Sequence, residues 1–130
     1  MIINLFQWRI TMDMILFNQI GASITTLLGL MGFLAPKLAM KFTGLSSSTK
    51  EGTSEFRATF GGLFIALGLF PLCIGNPQGY LLVGLAWIAT GIGRAVSIVA
   101  DSCFTRKNVL AVFFESGIGC LLTLGNCSIL

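Results

Sequence analysis

Arg94 and Glu115 are the side chains with the most chemical reach in this sequence, because each stands inside a long apolar run. Arg94, Ser97 and Asp101 follow an i, i+3, i+7 spacing that places them on one helix face. Glu55 and Arg57 head a further apolar run. Acids and guanidiniums collected in this way can relay a proton or ion, hold a polar headgroup, or neutralise one another as a buried network that fixes helix register. The balance of Arg57 and Arg94 against Glu55, Asp101 and Glu115 puts the satisfied network first. Catalysis by acid and base needs two tuned groups facing a substrate. A carboxylate held by arginine is stabilised in its ionised form and makes a poor base. Histidine does not occur, which removes the commonest metal ligand and general base. Cys73, Cys103, Cys120 and Cys127 show no C-x-x-C spacing and read as small apolar packing residues. No catalytic set, metal site or cofactor is therefore expected.

The elements that carry these residues follow from composition. Of 130 residues, 55% are hydrophobic and 10% charged, and the mean hydropathy is +0.89. Soluble domains carry about 25% charged side chains, so this chain cannot cover a water-facing surface. Disorder is excluded on the same ground. The net charge of +3 is too small and too scattered for a nucleic-acid binder. One integral membrane domain over residues 1–130 is the expectation, in a cell membrane.

Uncharged intervals mark the spans, since a helix needs about 20 mainly apolar residues to cross a bilayer. Met14 to Pro36 carries no charge, and Pro36 disfavours helix at the residue before it. Ala58 to Gly93 is too long for one span, and the Gly75-Asn76-Pro77-Gln78-Gly79 turn cluster divides it. Beyond Glu115 no side chain is charged. The reading is four spans, at about 14–35, 54–75, 80–100 and 108–125, in an all-α, up-down-up-down four-helix transmembrane bundle. A cleaved signal peptide is the competing reading of the first span. Its apolar run exceeds a signal core of about 7–15 residues, and Lys37 spoils the cleavage site before Ala39.

Lys37, Lys41, Lys50 and Arg57 lie between spans one and two, and Arg106 and Lys107 between spans three and four, against Arg9 alone on the other side. This imbalance predicts cytoplasmic loops at 36–56 and 101–107 with both termini outside. Trp8 and Tyr80 are expected at the outer interface and Trp87 inside the bundle. The Ser/Thr/Gly-rich stretch from Lys37 to Glu55 reads as a solvated connector ending in a Ser54 N-cap, with Glu55 in the first turn. Small residues (Ala58, Gly61, Gly62, Ala66, Gly68, Gly84, Gly91, Gly93, Gly117 and Gly119) recur on the spans and permit close helix approach. Arg94 and Glu115 are equally far from the hairpin midpoint between Phe104 and Thr105, so both reach one depth and are expected to pair.

The stretch from Ser54 through Glu55, Phe56, Arg57 and on to Leu63, continued by Ala66-Leu67-Gly68-Leu69, resembles the head of the second span in a family of short bacterial four-helix membrane proteins catalogued as a domain of unknown function. Gly93-Arg94-Ala95-Val96-Ser97 with Asp101 is similar to that family's third-span motif, and Glu115 to its fourth-span acid. Ser102 departs from it, because the family usually has Gly after the Asp. The resemblance, over roughly residues 14 to 125, implies a four-helix membrane fold and no particular activity. Three roles remain open. The first is a non-enzymatic structural or accessory component partnered by the bilayer and by a second copy or a larger membrane complex. The second is a small oligomeric transporter or channel using Glu115, Asp101 and Arg94, and the third a lipid-modifying enzyme.

Overall fold

The computed structural model describes residues 2–124 and 126, with side chains from residue 14 onward; Cys127, Leu130 and the side chains of Trp8 and Arg9 lie outside the described residues. All the described secondary structure is helical. Helix α1 (Ile2–Leu34) is followed by α2 (Pro36–Thr43), α3 (Lys50–Phe56), a π-helical stretch (Arg57–Leu63), α4 (Phe64–Ile74), α5 (Pro77–Ala100) and α6 (Arg106–Leu124). Among the described residues, four stretches are long and apolar enough to cross a membrane: Met14–Leu34, Lys50–Ile74, Pro77–Ala100 and Arg106–Leu124. The chain is an all-α protein of multi-pass membrane character.

The helices end where local chemistry ends them. Pro36 cannot donate into the α1 ladder, and Ala35 breaks away at φ −129°, ψ 59°. The second span begins earlier than Ser54. Thr49 is the N-cap, accepting from Gly52 N at 3.0 Å, and Glu51 occupies the first turn. Thr49 captures the cap because Ser47 folds back on it: its hydroxyl donates to Thr49 O at 3.0 Å, closing the turn one step upstream. Asn76 caps α5 by accepting from Gln78 N, with Pro77 as first helical residue. The connector expected from Lys37 to Glu55 is thus largely helical, and only Gly44 to Thr49 lacks regular structure.

The π-helical stretch sits mid-span, around Gly61-Gly62, two adjacent residues of low helix propensity. Thr59 Oγ1 donates to Glu55 O at 2.8 Å, loading a carbonyl of the turn where the winding changes. Phe56, Phe60 and Phe64 stack in sequence along one side, with ring centroids 4.7 and 5.8 Å apart.

The chain forms two compact units, one from Met1–Gly21 with Asn76–Leu130 and one from Ala22–Gly75. In the second unit, α1 and the following span approach until their backbones touch. Cβ atoms built at Gly32 and Gly61 would strike Phe60 and Phe33 backbone atoms, respectively. In the first unit α5 packs along α6, with Gly84 and Gly119 facing each other. Trp87 is buried and meets Phe114 edge-on at 6.0 Å. Tyr80 is buried as well, because its helix face is the one that α5 turns inward with Gly84 and Trp87.

Candidate functional site

Arg94 and Glu115 meet across the α5–α6 hairpin. Nε of Arg94 donates to both carboxylate oxygens, at 3.0 and 2.9 Å, and Nη2 donates to Oε1 at 2.6 Å. Side-chain exposure is 30% for Arg94 and 7% for Glu115, so the carboxylate is enclosed while part of the guanidinium still faces outward. The pair forms because both helices place it on their common face: Gly91 lies one turn before Arg94 and clears a path for Glu115 and Ser116.

Ser97 and Asp101 organise the hairpin end. Ser97 Oγ donates to Asp101 Oδ2 at 2.5 Å, and the Cys103 thiol donates to Ser97 O at 3.3 Å. Asn108 Nδ2 returns from α6 to Cys103 O at 2.9 Å, and Asn108 N is capped by Thr105 Oγ1. The Asp101 carboxylate thus takes its hydrogen bond from a hydroxyl rather than an arginine. Ser102, between Asp101 and Cys103, adopts φ 52°. That left-handed conformation costs a residue with a Cβ about 1–2 kcal/mol. Ser102→Gly is therefore expected to raise stability by up to about 1 kcal/mol, after the greater freedom of Gly in the unfolded chain is subtracted. A lower midpoint on thermal size-exclusion profiles would contradict this.

Glu55 and Arg57 belong to the Ala22–Gly75 unit, whereas the other four polar residues belong to its counterpart. The Glu55 side chain is exposed. Arg57 Nε donates to Phe33 O at 2.9 Å, in the last turn of α1. A cation there faces the negative end of the helix dipole and satisfies a carbonyl that the break at Pro36 exposes. Arg57 is a helix cap in this structure.

Sequence reasoning missed a second polar lock. Asn18 and Asn126 exchange amide hydrogen bonds of 3.2 and 2.8 Å, and Asn126 Nδ2 also reaches Leu122 O at 2.7 Å. Gly21, one turn beyond Asn18, lies against the Leu122 side chain. The available signal was the isolated amide of Asn18 in an apolar run, which needs a partner in lipid. Among the cysteines, Cys73 and Cys120 are exposed rather than packed, since each falls on an outward face of its helix.

The arrangement can lock helices together. Among the described residues no cluster of Cys, Asp or Glu could hold a metal ion, and no buried polar side-chain atom lacks a hydrogen-bond partner. No curated protein and no solved structure matches the chain. A family model does, over residues 16–125, and the chain accordingly belongs to the family described as Domain of unknown function (DUF4345).

Proposed function

We propose that this protein is a non-enzymatic membrane component, structural in itself or accessory to a larger complex, in which Arg94–Glu115 fixes the register of a helical hairpin. One observation carries the reading: both oxygens of the enclosed Glu115 carboxylate are engaged by a single guanidinium. A proton relay needs a carboxylate that exchanges with water, and an acid–base catalyst needs one that faces a substrate. Held this way, Glu115 is suited to neither.

Purified protein in proteoliposomes with an entrapped pH-sensitive dye tests the alternative of a small transporter. The expected result is proton flux no greater than in empty vesicles, with a stable partner recovered by mild-detergent purification. Flux that disappears in Glu115→Gln would overturn the reading. The accompanying orientation, in a cell membrane, rests on Lys37, Lys41, Lys50, Arg57, Arg106 and Lys107, all within 36–57 and 101–107. A reporter inserted at Ser48 should read cytoplasmic and one at Gln78 external; the opposite pair of readings refutes it.

A further inference from the structure

We propose that α2 is an interfacial helix that lies against an anionic phospholipid surface, with Leu38 and Phe42 in the lipid and Lys37 and Lys41 at the phosphate level. The inference rests on the membrane-spanning reading of the neighbouring helices and adds a surface, a depth and a lipid charge to it.

The eight residues of α2 divide into three faces. Successive residues turn by about 100° around a helix. Pro36, Ala39 and Met40 are buried, and Ala39 and Met40 pack with Phe56, Met31 and Phe60. These partners lie at the end of one span and the head of the next, so α2 is pinned where two spans reach the same membrane boundary. Leu38 and Phe42, one turn apart, form a second face and are 60% and 62% exposed. Lys37 and Lys41, also one turn apart and exposed, form the third.

Two observations choose the occupant of the apolar face. The first is continuity: Ala35 is the one residue between span-length α1 and α2, so Leu38 and Phe42 follow directly on a helix whose own outward side chains are Leu27, Leu30, Phe33 and Leu34. The second is charge. From Pro36 to Arg57, which takes in the α3 helix that α2 packs against, Lys37, Lys41, Lys50 and Arg57 outnumber Glu51 and Glu55. Apolar side chains flanked by lysines suit the boundary between acyl chains and anionic headgroups. Gly44, at φ 84°, then stops the helix and returns the chain toward the next span.

The test uses full-length protein with all cysteines replaced by Ala, carrying one nitroxide at a time on Leu38→Cys, Phe42→Cys, Lys37→Cys or Leu27→Cys. It is reconstituted in phosphatidylcholine vesicles with or without phosphatidylglycerol. Collisions with oxygen should exceed those with a water-soluble nickel chelate at Leu38→Cys and Phe42→Cys, and the order should reverse at Lys37→Cys. In mixed vesicles, Lys37→Gln with Lys41→Gln should reduce phosphatidylglycerol enrichment among co-purifying lipids by about fivefold, the contribution of one lysine at the surface. Nickel-dominated collisions at Leu38→Cys and Phe42→Cys would put the face in water, and exclusion of both reagents would put a protein partner or second copy on it. Either result overturns the proposal, as does unchanged lipid enrichment in the double glutamine variant. Leu27→Cys separates the readings: a water-exposed label there means that the span itself has been misassigned.

Discussion

Arg94→Leu and Glu115→Leu are each expected to deplete the monodisperse protein in detergent, and the double variant to recover most of it. Removing either partner leaves the other charge without compensation in a place that water reaches poorly. Breaking a buried pair costs about 3–5 kcal/mol in soluble proteins, while replacing both members with apolar groups is often close to neutral. Arg94 retains an outward-facing edge, and snorkelling toward the boundary lowers the cost of leaving it alone. Glu115→Leu should therefore be the milder of the two leucine variants. Glu115→Gln should be milder still, because an amide oxygen can accept one of the donors that now converge on the carboxylate. Thermal size-exclusion profiles of the four variants provide the measurement. Damage that adds in the double variant would mean that the two side chains are not energetically coupled, whatever their separation.

Gly32→Ala and Gly61→Ala are expected to be strongly damaging despite their small size, as are Gly29→Ala and Gly68→Ala, whose new methyl groups would also strike backbone. A Cβ on Gly32 would collide with Phe60 O and the Phe60 carbonyl carbon, and one on Gly61 with Phe33 N and Cα, both 2.8 Å away. Backbone cannot rotate aside as a side chain can, so the helices must separate, at a cost of about 1–3 kcal/mol or more. Gly62→Ala and Gly93→Ala are the controls, since nothing lies within 4 Å of either new methyl group. They should be neutral or stabilising by up to about 1 kcal/mol, the helix-propensity difference between Gly and Ala. Equal effects at Gly61 and Gly62 would show that the close helix crossing does not contribute to stability.

That pair of adjacent glycines also marks how far the sequence could be read. Gly61 and Gly62 are indistinguishable as letters, and only the rotation of the helix, altered locally by π winding, decides which one touches a neighbour. The spans were legible because charge is costly in lipid and its gaps can be measured on the sequence. The meeting of Arg94 with Glu115 was legible for a related reason: two residues equidistant from a hairpin turn share a depth. Helix α2 was hidden because its short amphipathic run precedes a stretch of Ser, Thr and Gly whose composition signals a loop. The Thr49 cap was obscured by several rival hydroxyls within a few residues. Arg57 was placed with the acids by its charge, whereas its partner is a backbone carbonyl, which carries no sequence signal. The Asn18–Asn126 exchange joins residues 108 positions apart, beyond any local pattern.

That last separation sets an order of events at the ribosome. Residues 22–75 are contiguous in the chain and can close on themselves as soon as they emerge, but the other unit is split in sequence, with α1's opening turns made first and α5 and α6 made last. Asn18 therefore enters the bilayer long before Asn126 exists. At a synthesis rate of about 5–20 residues per second, its amide waits on the order of ten seconds for its native partner. During that interval the nascent protein carries a bare amide beside the open surface at Gly21 that Leu122 will later cover. A chain stalled after α5 would hold the contiguous 22–75 unit complete and present this unfinished seam to the membrane's quality-control machinery.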